Sequence, residues 1–212
     1  VPDTITPAPT ARSKCRGCGK TIDKGALRFG EADVNPFGEG ETQRWFHLEC
    51  AALKRPERFG AALETAAEAP EREKLTELVK SGLEHPRLVR ILRAERAPSG
   101  RAHCRHCREI IDKGALRVAL EIWEDGRFSP MGSIHARCAP SYFGTRELMT
   151  RLRHHSPELP AKELAELTEL VATAPDIPAV AAPGAEKGET EGSAGNPADG
   201  GANDGAAGES EK

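Results

Sequence analysis

Between positions 116 and 122 the apolar side chains fall on every second residue, Leu116, Val118, Leu120 and Ile122, the period of a strand with one buried face. Glu124-Asp125-Gly126-Arg127 follows and predicts a hairpin turn, because Asp-Gly tolerates the positive φ angles of a tight connection. Elsewhere the period lengthens. Leu75, Leu78, Val79 and Leu83 share one helical face, as do Leu164, Leu167, Leu170 and Val171, with Pro70 and Pro160 placed where a first helical turn accepts proline. Such helices are expected to cover the back of a small sheet. Residues 85–96, HPRLVRILRAER, read as a basic amphipathic segment with Arg87, Arg90 and Arg93 at spacing three, a solvated helix face. From 175 onward Ala, Gly, Pro and Glu run without periodicity, which predicts a disordered acidic tail over 175–212.

These patterns occur twice. Ile22-Asp23-Lys24-Gly25-Ala26-Leu27-Arg28 returns unchanged as residues 111–117, and Leu-Thr-Glu-Leu-Val stands at both 75–79 and 167–171. The repeat also carries the chemistry. Cys15-x2-Cys18-x28-His47-x2-Cys50 and Cys104-x2-Cys107-x27-His135-x2-Cys138 together use all six cysteines. A thiolate pair on a tight knuckle, answered by a His and a Cys one turn apart, makes the Cys3His shell of a closed structural zinc site, leaving no open catalytic position. Three disulfides are the competing reading, but they leave unexplained the histidine at the same place in each set. Two Zn2+ per chain are therefore expected.

Aromatic residues are only 4% and charged residues 30% of the 212, too few apolar groups for one large core. The predicted fold is α+β: two small zinc-stapled modules, each a short antiparallel sheet followed by helices. The expected boundaries are a flexible N-terminal arm (1–11), module 1 (12–84), a basic linker (85–100), module 2 (101–174) and the tail. The opening VPDTITPAPTA lacks the features of a secretory signal and no stretch approaches a membrane span, so an intracellular protein is expected, in nucleoid or cytoplasm if bacterial and in the nucleus if eukaryotic. The net charge of −3 conceals an uneven distribution. Residues 87–155 hold fourteen basic against seven acidic side chains, while the seven acids and two lysines after 178 make the tail negative. A locally basic surface fits a phosphate-bearing partner.

The Cys-x2-Cys-x28-His-x2-Cys spacing, the Lys-Gly-x-Leu-Arg start of a strand and the run Arg44-Trp45-Phe46-His47 resemble the poly(ADP-ribose) polymerase-type zinc finger. The resemblance covers 12–55 and 101–143, and no segment resembles the polymerase's catalytic domain. It implies a sensor of DNA breaks in which an arginine before the first Cys and one on the strand grip phosphates, and an apolar loop residue meets an exposed base pair. Arg12 and Arg28 match these positions in finger 1, Arg101 and Arg117 in finger 2, and Phe37 falls where the family places its stacking residue. Finger 2 departs from the pattern: Gly126 aligns opposite Phe37, and Ser133-Ile134 replaces Trp-Phe. Phe128, Met131 and Trp123 are candidate substitutes for the apolar tip.

Simpler readings stand beside these. Trp45 next to a ligand suits core packing, and Arg28 and Arg117 could salt-bridge within their modules. His103 and His106 could be spare ligands, His154 and His155 helix-end dipole contacts. Lys14, Arg16, Arg105 and Arg108 could steady zinc clusters of net charge −1. The expected function is non-enzymatic, zinc-dependent binding to DNA nicks or ends in repair, with a repair enzyme as a possible partner. The alternative is a structural scaffold that docks a protein through its helices. A zinc hydrolase or deaminase is disfavoured by the full ligand sets and by the lack of a Glu motif beside the metal.

Overall fold

The computed structural model describes residues 2–34 and 40–175 of the chain. The expected acidic tail from 176 on, and Phe37 with its loop, lie outside the described residues. Strands β1 (Thr4–Pro7), β2 (Leu27–Val34) and β3 (Glu41–His47) form an antiparallel sheet in the order β1-β2-β3. Helices α1 (Leu48–Lys54), α2 (Pro56–Thr65) and α3 (Arg72–Glu84) follow. After a 3-10 turn at Pro86–Arg90 the plan repeats. Strands β4 (Ile91–Arg96), β5 (Leu116–Glu124) and β6 (Arg127–His135) make the second sheet, followed by a 3-10 turn at Ala136–Cys138 and helices α4 (Ala139–Phe143), α5 (Met149–His155) and α6 (Ala161–Ala172). Among the described residues no helix is long and apolar enough to cross a membrane.

Two segments differ from expectation. Residues 4–7, in the expected arm, are β1, and 91–96, expected on a solvated helix face, are β4. The reason is the same in both modules: the strand after the knuckle has a free edge, and the preceding segment satisfies its backbone groups. Ala8 N–H donates to Ala26 O and Gly25 N–H to Ala8 O, and the corresponding bonds join Ala97 to Ala115 and Gly114 to Ala97. Ile91 and Ala94 turn inward from β4, while Arg87 and Arg90 reach Tyr142, through its carbonyl and its hydroxyl respectively, at 3.2 Å each.

Each sheet backs onto its own core. In the first, Phe29, Phe46 and Phe59 are fully buried, Phe29 meeting Phe59 edge-on with centroids 5.4 Å apart. In the second, Val118, Ile134, Leu148, Leu152 and Leu167 play that part. Leu75, Leu78 and Val79 of α3 and Leu167 and Val171 of α6 supply the buried helix faces, as the periodicity predicts, but Leu83, expected on the same face, is exposed near the end of α3.

The modules are not beads on a linker. The β5–β6 hairpin closes through Asp125 (φ 49°) and Gly126 (φ 71°), and carries Trp123 and Phe128 onto the core of the first module. Trp123 lies 4.5 Å from Phe128 and 6.0 Å from Phe46, with the Arg55 guanidinium 4.7 Å above its ring. The Arg44 guanidinium rests on Gly126, where a Cβ would collide with it. Two buried cations pin the junction. Lys54, at the end of α1, donates to Glu121 of β5 at 2.6 Å and to the carbonyls of Val89 and Ile91. Arg151 of α5 donates to Leu53 O (2.9 Å), near the end of α1, and to Leu78 O (2.7 Å) in the middle of α3. Burial pushes Arg151 down to about 10, so it remains a cation at neutral pH.

Candidate zinc centres and the outer face of the first sheet

All six cysteines are free thiols, which removes the disulfide reading. They gather instead with the two histidines. The ligand atoms of Cys15, Cys18, His47 and Cys50, and those of Cys104, Cys107, His135 and Cys138, lie within 4.8 Å of one another in each set. His47 Nδ1 is 3.4 Å from Cys18 Sγ and 3.9 Å from Cys50 Sγ, and His135 Nδ1 repeats both distances to Cys107 and Cys138. Zinc bonds of about 2.0 and 2.3 Å at a tetrahedral angle demand an N-to-S edge of about 3.5 Å, so each set fits one zinc ion held through Nδ1 of its histidine. His135 Nε2 lies 3.1 Å from Ile110 O, and with Nδ1 on the metal its proton is donated to that carbonyl.

The folding of each site follows from its knuckle and from the strand end. Cys15 N–H bonds Lys20 O while Gly19, at φ 73°, turns the chain back to Cys15 O. The second knuckle places Arg108 in the same left-handed turn at φ 66°, and His103 Nδ1 faces its carbonyl at 3.0 Å, so that ring is a brace and not a ligand. The knuckles are fastened to the sheets by Arg16 N–H on Trp45 O and Arg105 N–H on Ser133 O. His47 N–H and His135 N–H point at the sulfurs of Cys15 and Cys104.

The thiols are poised for a cation. Hydrogen bonding with Cys50 pulls Cys18 down to about 4 and Cys15 to about 7, while the same contacts drive Cys50 far up. In the second set burial pushes Cys138 up to about 12. Burial opposes ionisation of Cys104 too, but the backbone N–H groups of Cys107, His135 and His106 outweigh it and hold Cys104 at about 7. A crowded thiol cluster cannot lose every proton alone. A divalent cation removes that conflict by accepting all three thiolates.

Beside the first site, Arg28 pairs with His47 and Gly30 with Trp45 across β2 and β3. Trp45 lies flat over Gly30, whose absent Cβ would sit 2.6 Å from the ring. On the Trp45 ring rests the Arg28 guanidinium, 3.4 Å from the centroid, with Nη1 donating to Ser13 Oγ at 2.5 Å and Nε unpartnered and buried. Trp45 is therefore a half-buried platform; the fully buried aromatic is its neighbour Phe46. Arg28 is only 7% exposed, and this desolvation lowers its pKa.

Finger 2 keeps the scaffold but changes this face. Arg117 pairs with Glu95 on β4, where Arg28 has Thr6 on β1. Its Nε and Nη2 bond Glu95 at 3.0 and 2.6 Å, and Glu95 is also held by Arg93 at 2.6 Å. Arg12 and Arg101 are exposed, each ahead of its knuckle. Trp123 and Phe128, candidate apolar tips for finger 2, are turned onto the first module, and Met131 packs on the second core. The structure also brings together residues that no local pattern marks: Ser13 under Arg28, and His154, expected as a helix-end contact, with Nε2 3.3 Å from Cys50 Sγ.

Residues 7–83 match the family described as the poly(ADP-ribose) polymerase and DNA-ligase Zn-finger region. Among curated relatives the chain is 22% identical over 142 residues to a poly [ADP-ribose] polymerase of Sarcophaga peregrina, covering 58% of this chain and 14% of the relative. It is 25% identical over 137 residues to poly [ADP-ribose] polymerase 1 of Gallus gallus (54% and 13%), and 26% over 132 residues to the Drosophila melanogaster polymerase (55% and 13%). The chain thus spans about one-seventh of the length of these relatives.

Proposed function

We propose that the chain binds DNA through its first module, whose residues 7–83 match the poly(ADP-ribose) polymerase and DNA-ligase Zn-finger region, and that it favours strand breaks or ends and serves DNA repair. The observation that carries the reading is Arg28. It is a desolvated guanidinium stacked on Trp45, with one N–H unpartnered and Thr6 instead of an acid opposite. A phosphate oxygen supplies the counter-charge that this guanidinium lacks. Arg12, exposed before the knuckle, and Arg101 add sequence-independent, salt-sensitive contacts. Arg117, engaged with Glu95, contributes less. Phe37, which falls between β2 and β3 in the sequence, is assigned the open base pair, where stacking contributes about 1–3 kcal/mol. The chain's role is binding, without turnover of its own, and a repair enzyme is the expected partner.

The test is fluorescence anisotropy of zinc-loaded protein at near-physiological salt, on a hairpin-capped duplex either nicked or sealed. Tighter binding to the nicked form, lost in Phe37→Ala while sealed-duplex binding persists, supports the reading. Equal, weak binding to both forms reduces DNA to a charge effect and favours a protein-docking scaffold.

A further inference from the structure

The first zinc site has a neighbour from the other module. His154 on α5 brings Nε2 to 3.3 Å from Cys50 Sγ and Nδ1 to 3.4 Å from a carboxylate oxygen of Glu49. Glu49 stands between the ligands His47 and Cys50, and the same oxygen is 3.3 Å from Lys74 of α3. A zinc-bound Cys50 is a thiolate without a proton. The hydrogen in the Nε2-to-Sγ contact therefore comes from the imidazole. We propose that His154 is a hydrogen-bond donor to the zinc-bound thiolate of Cys50, a positioning residue that the second module supplies to the zinc site of the first.

Three thiolates and Zn2+ leave a net charge of −1, and an N–H directed at one sulfur draws off part of it, weakening that thiolate's tendency to leave the metal or react. Delivery across the junction has a thermodynamic consequence. His154 keeps its place because Arg151, one turn earlier on α5, is bonded to Leu53 O and Leu78 O of the first module. Whatever factor docking adds to zinc affinity at the first site, zinc returns to docking. The second site draws comparable support from within, through His135 and Ile110.

The experiment uses the full-length, zinc-loaded chain in excess chelator, with timed iodoacetamide alkylation and mass spectrometry of the cysteine peptides. In His154→Ala, Cys15, Cys18 and Cys50 should become labelled about 10- to 100-fold faster, with Cys104, Cys107 and Cys138 at their wild-type rate. His154→Gln, whose amide N–H reaches the same sulfur, should stay close to wild type, whereas His154→Phe, a ring without a donor, should behave like Ala. Cobalt-substituted protein should show a shifted thiolate-to-metal absorption band in Ala and Phe but not in Gln. An unchanged rate in Ala, equal acceleration at both sites, or Gln releasing metal as fast as Phe overturns the proposal.

Discussion

Arg28 and Arg117 occupy the same place in a duplicated scaffold, yet their surroundings give them different electrostatic roles. Thr6 opposite Arg28 leaves its charge uncompensated, while Glu95 opposite Arg117 neutralises it. Arg28→Ala is therefore expected to weaken binding to nicked and sealed DNA by about tenfold and to reduce the salt slope by about one, because one phosphate contact disappears. Arg117→Ala should change affinity far less, and Glu95→Gln should strengthen binding by freeing a guanidinium. Salt titrations of anisotropy decide it: equal losses in the two arginine variants would mean that Glu95 does not set Arg117 apart from Arg28. Gly126 makes a prediction of another kind. It holds φ 71° and lies under the Arg44 guanidinium, so Gly126→Ala combines a left-handed backbone with a steric collision. A loss of about 1–2 kcal/mol is expected in chemical denaturation, against near neutrality for an alanine on an open surface.

The β5–β6 hairpin shows which parts of the fold can be read along the chain. Its strands and turn are local: alternation marks the strand, and Asp125-Gly126 marks the reversal. The metal ligands are legible for the same reason, since knuckle spacing and a His-x2-Cys turn are fixed over a few residues and stated twice. β1 and β4 are harder to read because TITP and ILRAER are short, and they become strands only through the free edges of β2 and β5. The orientation of the hairpin tip is not legible at all. Trp123 and Phe128 look alike as sequence whether they face a base pair or another module, and it is the first core, with Phe46 and Arg55, that receives them. Large aromatics carry much of the energy of such contacts. Trp123→Ala is expected to cost about 3 kcal/mol and to let the modules unfold in separate steps. A single, unshifted urea transition in that variant would show that the hairpin does not hold them together.

At the scale of the molecule, two small cores become one unit through metal and buried charge. Chelation should therefore unfold both modules, since neither keeps its knuckle without zinc, and circular dichroism before and after chelator should register the loss of the sheets. The charge contribution is sharper at Lys54. Its ammonium has no solvent exposure, and burial lowers its pKa even though Glu121 at 2.6 Å favours the charged form. Removing one partner leaves the other buried without compensation, at a typical cost of about 3–5 kcal/mol, while replacing both with apolar groups is often far milder. Lys54→Met should thus be strongly destabilising, because Glu121 and the carbonyls of Val89 and Ile91 lose their donor together. Glu121→Leu should also destabilise, since it leaves a buried ammonium with carbonyls alone. The double variant should be markedly more stable than the sum of the two losses allows, with only the two carbonyls left unanswered. Urea denaturation of the four proteins of this cycle measures that coupling. Additive losses would mean that the pair does not act across the junction, and that the modules are held by the hairpin and Arg151 without it.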